Sequence, residues 1–150
     1  MPAAVMARLD RSELRCRVLT PAKNVYDALV DSAVVTTLDG ELEIFARFEP
    51  TISPLAVGVM RVKARDGTGT TLAIHGGFMD MNGKALVILA DSAEIGNEID
   101  VERAQQALER AKNLLAGVTA DKAKNVDVDR ARLALLRALT RLQVAGRETN

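Results

Sequence analysis

One histidine, one cysteine and a small group of acids are the side chains of this chain that could do bond chemistry, and their spacing assembles no catalytic site. His75 sits in a strand-like run just before Gly76-Gly77, with no cysteine or serine partner legible nearby and no second histidine to complete a metal site. It reads as a packed strand residue. Gly76-Gly77 is followed neither by the Lys-Ser/Thr of a phosphate loop nor by a dinucleotide fingerprint, so the pair marks a bend or bulge between strands. Cys16 lies between Arg15 and Arg17; nearby cations would favour a thiolate and burial a thiol, and the strand context makes it a reduced, structural thiol. One cysteine closes no intrachain disulfide. Asp39, Glu41, Glu43 and Glu49 form an acidic group that reads as solvated surface unless the fold converges it on a pocket. The sequence therefore predicts no enzyme and no metal site.

Composition narrows the partners. Lys+Arg and Asp+Glu stand at 20 each in 150 residues, so no global field draws the chain to nucleic acid or to an anionic membrane. No apolar run is long enough to span a bilayer, and Met1-Pro2-Ala3-Ala4-Val5-Met6 lacks a basic region followed by a long apolar core. The protein is expected to stay in the compartment where it is made.

The elements that must position these residues fall into two unlike halves, with a seam near residue 98. Strands are expected at Leu14–Leu19, closed by Thr20-Pro21, then around 25–29 and 33–37, with a turn at Asp39-Gly40. Residues 57–63 alternate apolar and basic side chains, which predicts one face on a core and one in water. Asp66-Gly67-Thr68-Gly69 leads into a strand at 71–74, Gly76-Gly77 into the segment Phe78-Met79-Asp80-Met81, and Asn82-Gly83 returns the chain into a last strand at 85–89. Past the seam, Asp100 caps a helix carrying Ala104, Leu108, Ala111 and Leu115, with Gly117 expected to stop it. A second helix starts near Asp127 or Asp129 with Val128, Ala131, Leu135, Leu139 and Leu142 on one face. The fold class is α+β: an antiparallel β-sandwich followed by a two-helix antiparallel hairpin, with an N-terminal extension over 1–13, the sandwich over 14–98 and the hairpin over 99–150. Alanine contacts bury little area each, so the hairpin can open at modest free-energy cost.

The order Leu19-Thr20-Pro21, Gly40-Glu41-Leu42 with Ile44, Pro50, Leu55, Gly58, Gly76-Gly77-Phe78, Val87-Ile88-Leu89-Ala90-Asp91 and Ile99-Asp100-x-x-Arg103-Ala104 resembles the epsilon subunit of the F-type ATP synthase, called delta in mitochondria. The resemblance runs from Leu14 to about Ala145. It implies a non-catalytic rotor subunit of a proton- or sodium-translocating ATP synthase, whose sandwich docks on gamma and the c-ring. It also implies a hairpin that extends into the alpha/beta catalytic head and restrains hydrolysis. Membrane association would come only through the complex, at the cytoplasmic face of a bacterial plasma membrane. A free-standing sandwich adaptor with a protein-binding hairpin is the alternative, and a solitary nucleotide sensor a third reading.

Carried over residue by residue, the resemblance places Glu41, with Leu42, at the contact with the c-ring or gamma. No cofactor is required, but a regulatory ATP is implied at Ile99, Asp100, Arg103 and Ala104, with Arg130, Arg132 and Arg137 as partners on the second helix. Guanidinium forks suit phosphate oxygens. The plain alternative is that Asp100 only caps its helix and Arg103 only lines a solvated face. No acid falls between Arg130 and Arg147, a stretch that also holds Arg141, so an extended hairpin would suit an acidic partner surface. The chain departs from the family at Glu43-Ile44-Phe45-Ala46-Arg47-Phe48-Glu49-Pro50, where a Leu-Pro-Gly-His-Ala-Pro loop is usual. Here Phe45 is expected to point into the sandwich and Phe48 toward gamma or the ring.

Overall fold

The computed structural model describes residues 13–119 and 126–147. Of the N-terminal extension expected over 1–13, only Glu13 falls within them. Seven strands come first: β1 (Leu14–Leu19), β2 (Asn24–Thr37), β3 (Gly40–Phe45), β4 (Thr51–Ala64), β5 (Gly69–Met81), β6 (Ala85–Ala90) and β7 (Ala93–Ile95). A 3-10 turn (Gly96–Glu98) leads to helices α1 (Val101–Thr119) and α2 (Val128–Arg147).

The strand order β1-β6-β5-β4-β2-β3 is closed by a further pairing of β1 with β2. β1 therefore has a partner along each side, and neither of its edges is left open to another chain. All pairings are antiparallel except β1 with β6, where Arg15 to Leu19 run alongside Ala85 to Leu89. Inside lies one aliphatic core that includes Leu14, Val18, Val35, Ile44, Met60, Leu72, Met79, Leu86 and Ile88. Cys16 belongs to it, and burial pushes its thiol up to about 12, which makes it inert at neutral pH. The Arg15 guanidinium instead engages Asp27 in two hydrogen bonds, at 2.8 and 3.0 Å, across the β1–β2 pair.

Two expected strand breaks are absorbed into long strands. The segments expected around 25–29 and 33–37 are one strand, β2, whose first half pairs with β1 and whose second half pairs with β3. A register shift against β4 between Val30 and Ser32 takes up the irregularity. β5 behaves alike: its first half pairs with β7 and its second with β6, and it changes partner at Gly76-Gly77. Both glycines hold positive φ, 81° and 120°. A Cβ on Gly77 would fall on the carbonyl oxygen of Leu89, so the bend expected there is enforced by close backbone approach.

Helix ends also differ from expectation in one place. α1 runs through Gly117 to Thr119, because a single glycine in a helix costs only about 1 kcal/mol relative to alanine and does not by itself end one. α2 begins where an aspartate was expected to start it. Asp127 accepts from the Arg130 backbone N–H at 3.1 Å. The helices meet through small residues. Ala104 and Ala111 on α1, and Ala131 and Ala138 on α2, are buried, whereas Leu139, expected on the packed face, is 45% exposed. Alanines seven residues apart let two backbones approach and turn the longer leucines outward.

α2, rather than α1, carries most of the hairpin's contact with the sheet, against β4 and β5. Val144 packs on Val59 and Ala73, with Ile99 at the margin. Val59 is thus covered on the outer face of β4, where the apolar–basic alternation predicted water; only Arg61 and Lys63 keep that pattern. Gly58→Ala is expected to cost about 1–3 kcal/mol, since its Cβ would lie 2.6 Å from the Thr36 side chain in a packed wall. Urea unfolding of the two proteins measures it.

Candidate functional site

The seam between sheet and hairpin concentrates the charged chemistry of the chain. Asp100 accepts a hydrogen bond from the Arg103 backbone N–H at 3.0 Å and so caps α1, as its position before the helix predicted. The first turn of α1 stands beside Glu94 of β7 and Arg141 of α2 around a shared hollow. The result is a cavity of about 400 Å³ lined by Glu94, Glu98, Ile99, Asp100, Arg103, Ala104, Ala107, Arg110 and Arg141. Its size suits a small organic ligand. Among the described residues Arg103 and Arg110 have no direct ion-pair partner, although Glu98 and Asp100 line the same cavity, so two guanidinium groups on its wall keep their donors uncommitted to a carboxylate.

One carboxylate ties the halves together. Glu94 Oε2 lies 2.6 Å from Arg141 Nε on α2 and 3.1 Å from His75 Nε2 on β5. Glu94 is held below the usual carboxylate range, since hydrogen bonds from Arg141 and His75 outweigh the opposing cost of burial. An ionised carboxylate only accepts, so the His75 proton sits on Nε2. His75 is 2% exposed and its Nδ1 has no hydrogen-bond partner. Burial, the largest cause, holds the imidazole below its ordinary pKa, reinforced by the charges of Arg141 and Arg137 against the opposing pull of Glu94.

The structure gathers Ile99, Asp100, Arg103 and Ala104 on one cavity wall. Arg137 is near enough to act on His75, but neither it nor Arg130 or Arg132 lines the cavity; Arg132 instead lies 4.0 Å from Asp129 at the start of α2. The second helix contributes Arg141 in their place. Glu94, Glu98 and Arg110 escaped the sequence reading, and Arg141 was read there only as part of a basic surface for an acidic partner. Arg110 and Arg103 are seven residues apart on one helix, two turns on the same face, and that spacing was the available signal.

The expected surface at the other end needs one correction. Glu41 is exposed and forms a two-point pair with Arg61, both contacts at 3.1 Å, whereas Leu42 is half-buried against the core. Phe48, expected to face a partner, packs against the core, and Phe45, expected inside, is 52% exposed. The reason is register: Ile44 alternates into the core beside Ala33, which sends Phe45 outward, and the chain then reverses through Arg47 at φ 64° and returns Phe48 to the interior. Ile52, Phe78 and Leu89 are also exposed, with Phe78 paired across the sheet to Leu89 on one side and Pro54 on the other.

Residues 13–96 match the family described as ATP synthase, Delta/Epsilon chain, beta-sandwich domain, and residues 97–146 its long alpha-helix domain. An ATP synthase epsilon chain from Halalkalibacterium halodurans is 43% identical over 89% of this chain and 98% of its own length. Another, from Alkalihalophilus pseudofirmus, is 42% identical over 91% and 99%. In fold the chain is similar to a chain in the cryo-EM structure of the Euglena gracilis mitochondrial ATP synthase (OSCP/F1/c-ring). There the TM-score is 0.74 at 23% identity, covering 89% of this chain and 81% of that one.

Glu94→Gln weakens the contact with Arg141 without altering its shape. The partly exposed pair is worth about 1 kcal/mol, so α2 amides are expected to exchange about fivefold faster while the strand amides keep their protection. Hydrogen exchange read by mass spectrometry checks it.

Proposed function

The chain belongs to the ATP synthase delta/epsilon family, and on that premise we propose that it is a stalk subunit whose hairpin moves between a folded and an extended position. It is a non-catalytic subunit of an ATP synthase. The sandwich couples gamma to the c-ring, and the extended hairpin reaches the alpha/beta head and restrains ATP hydrolysis. What carries the reading is the seam: the hairpin is held on a closed sheet by small residues, one valine and one shared carboxylate, an attachment light enough for a partner to displace. Near-complete coverage of its bacterial relatives favours this reading over a free-standing adaptor.

ATP is the ligand proposed for the seam cavity, where it would favour the folded hairpin. Arg103 and Arg110 supply unpaired forks for phosphate, Ile99 and Ala104 the apolar margin, and Arg141 a third guanidinium from the other helix. Glu41, Phe45 and the apolar band of Ile52, Phe78 and Leu89 are proposed as the surface for gamma and the c-ring, at the cytoplasmic face of a bacterial membrane. No helix of the described residues is long and apolar enough to cross that membrane.

Gentle affinity purification from native membranes is expected to recover gamma, the catalytic head and the c-ring. Phe78→Asp is expected to lose them while keeping its fold, because the ring it removes is exposed. Recovery of the chain alone under conditions that keep the synthase intact contradicts the rotor role. Calorimetry tests the ligand separately: Arg103→Ala is expected to weaken ATP binding by about tenfold or more. Unchanged affinity removes Arg103 from the site.

A further inference from the structure

His75 is an unusual residue to bury on the outside of a sheet. It lies two positions from Ala73 on β5, on the face that α2 covers with Val144, Arg141 and Arg137. Its burial belongs to the hairpin rather than to the core, since the intervening Ile74 points inward. When the hairpin lifts, Ala73, Val59 and His75 lose their cover together. The charged groups facing the ring in the folded state are Glu94 from β7 and Arg141 and Arg137 from α2, while Asp91 stands across the neighbouring Gly76. Nε2 is committed to Glu94, and Nδ1 faces no acceptor.

We propose that His75 makes the seating of the hairpin proton-sensitive, so that mild acidification lifts it from the sandwich. A second proton can go only to Nδ1. There it creates a buried donor with no acceptor, and a cation under two arginines, so the folded hairpin resists protonation. The lifted hairpin leaves His75 in water, where it binds a proton at the ordinary imidazole value, about 6.5. The lifted state thus holds more protons, and stability of the folded state is fully present above that value and lost as pH falls below it. Glu94 acts in the same direction but in another window. Its pKa is lowered in the folded state, so its contribution is lost only below the ordinary carboxylate range.

This device belongs to the isolated chain and needs neither ATP nor a partner, so it stands or falls apart from the nucleotide reading. Joined to the proposed function, it would make acidification of the surrounding compartment a brake on hydrolysis.

His75 is the sole histidine of the chain, so its imidazole can be titrated by NMR in the unmodified full-length protein without assignment ambiguity. The expected result is a titration well below the ordinary value, with the Val144 methyl resonances shifting over the same pH range. Hydrogen exchange of α2, corrected for intrinsic rates and measured without nucleotide, is expected to rise by up to about tenfold between about pH 7.5 and 5.5. In His75→Gln, whose amide still donates to Glu94 but cannot titrate, the corrected rise is expected to vanish. An imidazole that titrates at the ordinary value, or an equal rise in both proteins, overturns the proposal.

Discussion

The Glu94 carboxylate is the point on which the arrangement of this molecule turns. At Oε2 it accepts a hydrogen bond from an imidazole rooted in the sheet and a charge-assisted one from a guanidinium rooted in the last helix, and among the described residues no other ion pair joins sandwich to hairpin. Its energy is modest because it is partly wet, about 1 kcal/mol, and Val144 adds about 2 kcal/mol by burial on Val59 and Ala73. Differences of this size are what ligands and partners can reverse. A much stronger contact would lock the hairpin in one position, and a weaker one would leave the seam cavity without its Arg141 wall.

The sheet supplies the opposite property. β1 closes the strand path on itself, and β2 and β5 each serve two partners along their length, so most of the backbone is committed to hydrogen bonds that do not depend on the helices. The core is aliphatic and lies inside that closure. Such a body can carry load while an attached element opens, which is the division expected when a low-stability segment does the regulating.

Much of this was legible in the residues. Alternation and turn dipeptides gave the strands, and an aspartate before an alanine-rich periodic run gave the start of α1, because local pattern and tertiary need agree there. The continuity of β2 and β5 was not legible, since a strand that changes partner halfway looks in sequence like two strands with a gap. Gly117 misled for a similar reason: its helix tolerates a small local cost. Phe45 and Phe48 were exchanged because the inside–outside sense of that loop is set by how Ile44 pairs with Ala33 on another strand, and that register is a long-range fact. At the seam, Ile99, Asp100, Arg103 and Ala104 were found through a contiguous motif. Glu94, Arg110 and Arg141 lie on three elements and converge only when α2 folds back.

The claim that a light seam holds the hairpin in one of two positions is tested most directly by a distance. Cys16 is buried and inert, so spin labels on Lys63→Cys and Gln143→Cys, both exposed sites, report sandwich and hairpin selectively. Pulsed dipolar spectroscopy of the isolated chain is predicted to show a short folded population and a second, longer one, with ATP transferring intensity to the short distance. A single short distance, unchanged by ATP and by Glu94→Gln, would contradict the account.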